Sequence, residues 1–450
     1  MAKSAFKNLD LKFIDLMGQM HHITMPMKNF TGKVGVDGSS LPGFTRTESG
    51  DLVIRPDEST EFVEPFLGDS TVSYLCNLFE ADTGKPYYKD PRTVAANVDA
   101  YLKKKGIADI VYVLPELEFY VFDSVQYQNH MNRTFCEVQS SEAHWRDQPQ
   151  GYKIPHHKGY HTAPPLDSFH HLRNEICEVL EGVGIPVKYH HHEVGGAGQC
   201  EIELSAMPFT RAADAVVLAK YLIKMTALTR GKVVTFMPKP LYDEAGSGLH
   251  FHIRLEKGGR PVLFKKGNYA DLSTTAFEFM SGILDHARAL AALTNASTNS
   301  YKRFVPGFEA PTNLFFSLGN RNAAIRIPKY AVEPKEKRFE YRPPDATCNP
   351  YLALSGILLA GADGVEKKLD HDRLHFGPFD SVEGVGFPIT HLPVNLEEAL
   401  RSLEADRAFL KVAGLFNEDL IRAYIETKRR EVIELNKRPH PFEFEMYFSV

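Results

Sequence analysis

The sequence predicts an α+β protein built around a mainly antiparallel sheet. Strand-like and helix-like segments follow one another without a regular β-α-β rhythm, which argues against a parallel sheet. The N-terminal part contains short strand-like runs stopped by glycine or proline, at residues 13–18 and 52–57. Long helical patterns appear only later in the chain. We therefore expect a small strand-rich domain followed by a larger mixed one.

The boundary between these domains is placed at residue 92, directly after an Asp-Pro-Arg sequence. Residues 93–105 then show the apolar spacing of a helix. The polar stretch 126–165 is expected to be a mobile loop that covers the site. The other predicted helices are residues 211–229, 273–293 and 350–368, with two or three more between residues 396 and 437, the first capped by Asn395. The expected domains are residues 1–92 and 93–450.

Composition excludes several functional classes. The 450 residues carry a net charge of −5, which gives no reason to expect nucleic acid or an anionic membrane as a partner. No apolar run approaches the roughly 20 residues that span a bilayer. Five scattered cysteines form no CxxC pair, a pattern typical of a reducing cytoplasm without disulfides or structural zinc. Cys200 is expected to be a small buried residue rather than a nucleophile.

Acidic residues alternate with apolar ones in two segments. In residues 190–204, three histidines and Glu193 lead into a glycine-rich turn, and Glu201 follows it. On two antiparallel strands joined by that turn, Glu193 and Glu201 can face the same cavity. In residues 113–120, Glu116 and Glu118 are separated by one residue, so both carboxylates face the same way on a strand. Acidic groups in such apolar surroundings indicate that a positive charge lies between them.

Two further segments continue this pattern, at residues 246–253 and 337–342. Glu340 and Arg342 share a face of the second. The candidate metal ligands are Glu116, Glu118, Glu193, Glu201, His250 and Glu340. Five carboxylates repel one another unless cations offset them, and oxygen-rich ligand sets suit Mg²⁺ or Mn²⁺. So many ligands predict two ions, as in sites of phosphoryl transfer. The alternative interpretation is that these glutamates line solvated strand faces.

A basic set follows the acidic segments in the sequence. Its side chains suit phosphate and carboxylate groups, although each one alone could be a surface charge. Between its members lies a loop, residues 305–311, in which Glu309 could close over a substrate. The basic residues are Lys302, Arg303, Arg321, Arg326, Lys335 and Arg338.

Together these motifs resemble type I glutamine synthetase, the bacterial and archaeal ring-forming form. The resemblance covers nearly the whole chain, and its ordered motifs are too many for chance. It includes residues 36–40, 116–119, 236–240, 246–252, 299–311, 324–328, 349–352 and 439–450. It implies a small β-grasp N-terminal domain and a large catalytic domain with a curved sheet flanked by helices. It also implies a homododecamer of two stacked hexameric rings, in which Asp37 of one chain completes the site of the next.

The resemblance also assigns roles to single residues. It implies one metal ion held by Glu118, Glu193 and Glu201, and another held by Glu116, His250 and Glu340. Glutamate is placed against Gly246, Arg303, Glu309 and Arg342. ATP is placed against His252, Arg321, Arg326, Lys335 and Arg338. The expected catalytic residues are Asp37, Glu309, Arg321 and Arg342.

The implied reaction makes glutamine from glutamate, ammonia and ATP through a γ-glutamyl phosphate. Three departures from the family pattern, Lys188, Ala245 and Arg254, bear on nucleotide and substrate binding. No tyrosine occurs from residue 368 to 400, so control by adenylylation is expected to be absent. Three alternatives stay open: a γ-glutamyl ligase for methylamine or a polyamine, a catalytically silent ring, and a two-metal phosphoesterase.

Overall fold

The structure is a computed structural model that describes residues 6–68, 70–145, 152–304, 311–381 and 385–450. Its strands form two large sheets, one from the N-terminal part of the chain and one from the rest. The α+β fold class predicted from the sequence is confirmed. Within these residues, no helix combines the length and apolar character needed to cross a membrane.

The N-terminal sheet has the strand order β2-β1-β6-β4-β3, with β5 on β6. Strands β1 and β6 run parallel, and the other pairs are antiparallel. The strands are β1 (Asn8–Ile14), β2 (Met20–Pro26), β3 (Val34–Asp37), β4 (Asp51–Pro56), β5 (Phe62–Val63) and β6 (Thr71–Glu80).

The second sheet carries the strands that position the site. Its central order is β10-β11-β7-β14-β18-β17-β16, and all of these pairs are antiparallel except β16 with β17. A separate hairpin joins β8 to β9. The strands are β7 (Ile110–Phe122), β8 (Ser124–His130), β9 (Arg133–Gln139), β10 (Val187–His192), β11 (Gln199–Leu204), β12 (Met207–Pro208), β13 (Val233–Thr235), β14 (Leu249–Lys257), β15 (Arg260–Pro261), β16 (Asn313–Leu318), β17 (Ala323–Ile327) and β18 (Phe339–Tyr341).

Helices flank this sheet and form the main core with it. Helices α3 (Phe209–Thr229) and α7 (Pro350–Lys367) pack against one another, and α3 also packs on β7. The helices are α1 (Pro91–Lys104), α2 (His170–Gly182), α3 (Phe209–Thr229), α4 (Thr274–Asp285), α5 (Ala287–Thr294), α6 (Ser300–Arg303), α7 (Pro350–Lys367), α8 (Leu396–Ala405), α9 (Glu418–Asn436) and α10 (Pro441–Tyr447). The Asn395 side chain caps α8 by accepting a hydrogen bond from the Glu398 amide, as predicted.

Three predicted elements are corrected by the structure, and the first two are a strand and a loop. The strand expected at residues 13–18 ends at Ile14, because the Asp15 carboxylate accepts hydrogen bonds from the amides of Met17 and Gln19 and holds a turn. The loop expected over residues 126–165 begins instead as the β8–β9 hairpin. Most side chains of this hairpin are exposed or half-buried, so its sequence lacks the apolar alternation that identifies a strand. Residues 146–151 of that stretch lie outside the described ranges.

The helix predicted over residues 273–293 is divided at His286, between α4 and α5. The His286 ring stacks on Phe409, and its nitrogens lie 2.7 Å from Asp406 Oδ2 and 2.9 Å from Asp363 Oδ2. Burial lowers the pKa of His286, but the two carboxylates outweigh it and raise that pKa to about 9. The break therefore holds a buried imidazolium between two acids.

We expect the stability contributed by His286 to depend on pH. Because the folded-state pKa of about 9 exceeds the ordinary 6.5, the contribution is complete below pH 6.5 and is lost as the pH rises through 9. Its size is at most about 3 kcal/mol. Thermal unfolding should therefore show that His286→Gln destabilises the protein strongly below pH 6.5 and much less above pH 9. His170→Gln, at a half-buried histidine that contacts Asn174, is the control. Equal destabilisation at both pH values would contradict the charged state of His286.

Candidate active site

The register of the central strands collects the predicted acidic residues. Strand β7 lies between β11 and β14, so Glu118 is opposite Glu201, and Glu116 is opposite His250. On the far side of β14, His252 is opposite Glu340 of β18. Because alternate residues of a strand share a face, this register brings side chains from four strands to one side of the sheet.

One group of candidate ligands consists of Glu116, His250 and Glu340, all buried. Their ligand atoms lie within 4.8 Å of one another. The His250 Nδ1 atom is 3.1 Å from Glu116 Oε2 and 3.6 Å from Glu340 Oε1. The family resemblance implies these three residues as one ligand set, and the structure brings them together.

Positive neighbours compensate the carboxylates of this first group. Burial acts to raise the pKa of Glu116, but the His252 and His250 imidazoles hold that pKa well below its ordinary value. For Glu340, Arg342 and the same two imidazoles outweigh the effect of burial and lower the pKa to about 2. Glu340 also contacts Arg326 Nη1 at 2.5 Å. Both carboxylates therefore remain ionised in the protein.

A second group contains Glu193 and Glu201, the residues on either side of the glycine-rich turn. Burial, Glu201 and Glu118 raise the pKa of Glu193 well above its ordinary value. Burial, Glu116 and Glu118 do the same for Glu201. Glu118 accepts a hydrogen bond from the Gly248 amide at 2.6 Å, and its Oε1 lies 3.7 Å from His250 Nε2. A divalent cation between Glu118, Glu193 and Glu201 would remove this repulsion, so the donor set fits a metal ion.

His191 lies close enough to Glu193 and Glu201 to join the second group, although it was not among the ligands predicted from the sequence. Its Nε2 atom lies 3.4 Å from Glu201 Oε1, and its Nδ1 atom lies 3.9 Å from Glu193 Oε1. The ligand atoms of the three residues lie within 4.8 Å of one another. The pairing of β10 with β11 across the turn places His191 opposite Glu201, a register that the run of three histidines does not reveal.

The neighbouring histidines have other contacts. His190 contacts Arg173 Nε and Asn174 Oδ1, and His192 contacts Glu142 Oε2 at 3.0 Å. Cys200 is fully buried, and burial raises the pKa of its thiol to about 12. The two histidines therefore attach the β10–β11 hairpin to neighbouring parts of the chain. Cys200 is a poor nucleophile, because its buried thiol stays neutral.

The acidic groups open into a cavity of about 990 Å³ that is also lined by arginines, which together are called the basic wall here. Among the residues predicted from the sequence, the cavity is lined by Glu116, Glu118, Glu193, Glu201, Gly246, His250, Arg303, Arg321, Arg326, Glu340 and Arg342. A cavity that is lined by both carboxylates and guanidinium groups suits an anionic ligand that is bridged by metal ions.

Among the residues that the structure describes, some of the other predicted ones do not line this cavity. His252 is fully buried behind Glu116, with Nε2 2.7 Å from Oε1 of that residue. Arg338 lies over the Tyr330 ring, and Lys335 accepts a hydrogen bond from Arg254 at its backbone carbonyl. Asp37 is exposed in the N-terminal sheet, where it accepts hydrogen bonds from Ser39 and Ser40. Glu309 lies outside the described residues.

Arg303 differs from the other arginines of the basic wall. Its side chain is buried, and its guanidinium donates to the carbonyls of Pro343 and Arg342, at 2.7 and 3.2 Å. Burial lowers its pKa. Within the described part of the chain it forms no ion pair with a carboxylate, whereas Arg326 and Arg342 both contact Glu340. A buried cation with mainly carbonyl partners offers a site for an anion.

The three departures from the family pattern occupy different surroundings. Lys188 lines the cavity and places Nζ 2.7 Å from Glu203 Oε1. Ala245 also lines the cavity, next to Gly246. Arg254 stacks on the Tyr112 ring, away from the residues that line the cavity. Two of the three departures therefore alter the wall of the site itself.

Comparisons with known proteins agree along the whole chain. The family model described as "Glutamine synthetase, beta-Grasp domain" matches residues 5–81, and "Glutamine synthetase, catalytic domain" matches residues 88–447. The glutamine synthetase of Aquifex aeolicus is 43% identical, with 100% of this chain and 97% of the relative covered. That of Streptomyces coelicolor is 44% identical, with 99% and 96% covered.

Solved structures show the same agreement in three dimensions. The cryo-EM structure of Plasmodium falciparum glutamine synthetase superposes with a TM-score of 0.91 at 30% identity, covering 99% of this chain and 96% of that one. The ligand-free structure of GmaS superposes less closely, with a TM-score of 0.82 at 25% identity, covering 100% and 98%.

Proposed function

This chain belongs to the glutamine synthetase family, and from that premise we propose how its residues divide the work of the reaction. The protein is an ATP-dependent glutamate–ammonia ligase. Its N-terminal sheet is the β-grasp domain and its second sheet belongs to the catalytic domain. The family uses ATP, glutamate, ammonia and divalent metal.

The observation that supports the proposed metal sites is the division of charge among the buried glutamates. Glu116 and Glu340 have nearby imidazole and guanidinium groups, whereas burial and neighbouring carboxylates raise the pKa values of Glu193 and Glu201. We infer two ions, Mg²⁺ or Mn²⁺, because the ligands are oxygen-rich and include imidazole. One would be held by Glu118, Glu193 and Glu201, with His191 adjacent, and the other by Glu116, His250 and Glu340. When bound, these ions would withdraw charge from the phosphate oxygens of ATP.

The basic wall would position the two anionic substrates. Arg303 lacks an acidic partner in the described residues, so we assign it to a carboxylate of glutamate, together with Gly246 and Arg342. Arg321 and Arg326 line the cavity and would contact phosphates, with Arg342 stabilising charge during transfer. His252, Lys335 and Arg338 are assigned to the nucleotide.

The proposed reaction has two steps. An oxygen of the glutamate γ-carboxylate attacks the γ-phosphorus of ATP, the bond to the bridging oxygen breaks, and ADP leaves. Ammonia then attacks the carbonyl carbon of the γ-glutamyl phosphate, and inorganic phosphate leaves. Asp37 and Glu309 would bind ammonium and accept its proton, while the loop that carries Glu309 would exclude water.

The placement of Asp37 bears on assembly. Its carboxylate is exposed on the N-terminal domain, and it does not line the cavity of its own chain. We propose that it completes the site of a neighbouring chain, within a dodecamer of two stacked hexameric rings.

The domain boundary at residue 92 stays a prediction. A cytoplasmic location is proposed from the free cysteines Cys76, Cys136, Cys177, Cys200 and Cys348.

The acceptor is tested by measuring ATP-dependent phosphate release with glutamate and ammonia, methylamine or putrescine in parallel. We expect kcat/KM for ammonia to exceed that for methylamine by at least about tenfold, since even one methyl group discriminates to that extent in a fitted site. Glutamine formed should equal phosphate released. Glu116→Gln, which lacks a proposed metal ligand, is the control for contaminating activity.

Each of the alternatives gives a distinct result in this assay. Turnover only with an alkylamine would overturn the assignment of ammonia as acceptor. No turnover with any amine, at several Mg²⁺ and Mn²⁺ concentrations, would indicate a silent ring. Phosphate release that does not require glutamate would favour a phosphoesterase.

A further inference from the structure

A third group of potential metal ligands lies at the edge of the cavity, and none of its members is among the six ligands predicted from the sequence. It consists of His156, His157 and Glu244, whose ligand atoms lie within 4.8 Å of one another. His156 and His157 follow Pro155 in the segment after residue 152, and Glu244 lies in the loop before β14. Two stretches of chain that are distant in sequence therefore meet at these side chains.

Glu244 is buried with weak compensation for its charge. The residue is 1% exposed. Its carboxylate oxygens contact His156 Nε2 at 3.4 Å and the amides of His157 and Ala245 at 3.4 and 3.3 Å. Lys239 lies nearby and donates a hydrogen bond to the Glu244 backbone carbonyl. The contacts of the Glu244 carboxylate with His156, His157 and Ala245 are long, so a cation could bind to this buried negative charge.

The two histidines are close to the carboxylate and are held there. Their rings lie 3.8 Å apart between centroids, and the His157 ring also contacts the carbonyl of Asp243. Such a contact orients an imidazole in the way that metal-bound histidines are commonly oriented. His157 and Asp243 both have positive φ angles, 59° and 55°, a conformation that side chains other than glycine adopt rarely. The two facing turns therefore fix the three potential ligands against one another.

We propose that His156, His157 and Glu244 form a separate site for a transition-metal ion such as Zn²⁺ or Co²⁺. Two imidazoles and one carboxylate, with a fourth position open to water, are a common ligand set for zinc. This nitrogen-rich set differs from the glutamate-rich sites, which suit Mg²⁺. The site therefore selects a different class of ion from the one that serves the ligase reaction.

An ion at this position would join two parts of the cavity wall. His157 lines the cavity, and Glu244 directly precedes Ala245 and Gly246, which also line it. Bridging the two turns would fix their separation, and with it the position of the Gly246 backbone. A metal ion bound here could therefore set the shape of the cavity without contacting any of the six predicted ligands.

The test is the binding of Co²⁺ to metal-free full-length protein in a large excess of Mg²⁺, which occupies the glutamate sites. We expect the protein to retain one cobalt ion per chain, measured by mass spectrometry after dialysis. Glu244→Gln should weaken cobalt binding by about 100-fold, because loss of even an outer hydrogen-bond partner of a ligand costs about 10- to 100-fold. His156→Ala and His157→Ala should each have an effect of similar size.

Two matched variants separate this site from its surroundings. His144→Ala removes an imidazole whose ring lies 5.4 Å from His156 but which is outside the ligand set, so cobalt binding should persist. Glu201→Gln removes a proposed ligase ligand, and cobalt binding should persist there as well. Failure of the ligase assignment would therefore leave this result unchanged.

Anomalous diffraction at the cobalt edge, from soaked crystals of the unsubstituted protein, locates the ion independently of the folding of any variant. A peak between His156, His157 and Glu244 is expected. Absence of that peak would overturn the proposal, as would undiminished cobalt binding by His156→Ala and Glu244→Gln.

Discussion

Glu201→Gln is expected to reduce kcat of the ligase reaction by about 10³-fold and, at the same time, to stabilise the metal-free protein. Activity falls because the variant loses a proposed metal ligand. Stability rises because burial, Glu116 and Glu118 make the ionised Glu201 carboxylate unfavourable in the folded chain. Thermal unfolding without metal should show a higher midpoint for the variant, with a gain on the order of 1–3 kcal/mol.

The stabilisation should depend on pH in a defined direction. The folded-state pKa of Glu201 is raised above its ordinary 4.5, so the unfolded chain ionises first and the folded state becomes less stable as the pH rises above 4.5. The variant lacks this group, so its advantage should be small below pH 4.5 and should grow above it. Saturating Mg²⁺ should stabilise the parent protein more than the variant.

Glu203→Gln is the matched control for this effect. Glu203 is buried on the same strand and face as Glu201, but it contacts the Lys188 ammonium at 2.7 Å. Loss of that ion pair should lower the unfolding midpoint, opposite in sign to Glu201→Gln. If both substitutions destabilised the protein, the ionised Glu201 carboxylate would not be unfavourable in the metal-free folded chain, and the proposed repulsion by Glu116 and Glu118 would be contradicted.

The sequence predicts strands well where one face alternates in polarity. The glutamates of β7 and β11 appear at alternate positions among apolar residues, and this pattern located both strands and the common face of Glu116 and Glu118. The β8–β9 hairpin escaped prediction because neither of its faces is consistently buried. Burial on one face produces the pattern, so a hairpin without it resembles a polar loop.

Breaks within helices depend on tertiary partners that the sequence does not identify. Residues 274–294 keep a helical pattern across His286, because both α4 and α5 bury apolar side chains. The division occurs where the imidazole binds Asp363 and Asp406, which are 77 and 120 positions away in the chain. Local spacing cannot reveal such contacts.

The sequence predicted which residues form the site, but it did not predict which of its carboxylates have a positively charged neighbour. Counting acidic residues identified the candidate ligands, and strand alternation put them on one face. Which carboxylates have a cationic neighbour depends on the pairing of β14, β17 and β18, which places His252 and Arg326 beside Glu340. His191 was missed because a run of three histidines gives no indication of which ring turns toward Glu201.

Arg303→Lys is expected to raise KM for glutamate by about 10²- to 10³-fold while changing KM for ATP little. The buried Arg303 guanidinium is held by the carbonyls of Pro343 and Arg342, and its Nη2 lies 3.3 Å from His250 Nε2. A lysine ammonium can satisfy fewer of these acceptors and cannot bind a carboxylate with two parallel hydrogen bonds. Truncating one partner of a buried charge pair costs about 2–5 kcal/mol, which corresponds to the expected change in affinity.

Arg326→Lys distinguishes substrate binding from a general loss of positive charge. Arg326 also lines the cavity, but it contacts Glu340, which raises the pKa of its guanidinium against the opposing effect of burial. Since Arg326 is assigned to phosphate, its substitution should raise KM for ATP more than KM for glutamate. Steady-state kinetics with each substrate varied in turn measures both. If the two variants raised both KM values equally, the cavity would lack separate glutamate and nucleotide sides, and the buried guanidinium of Arg303 would have to serve the fold rather than the substrate.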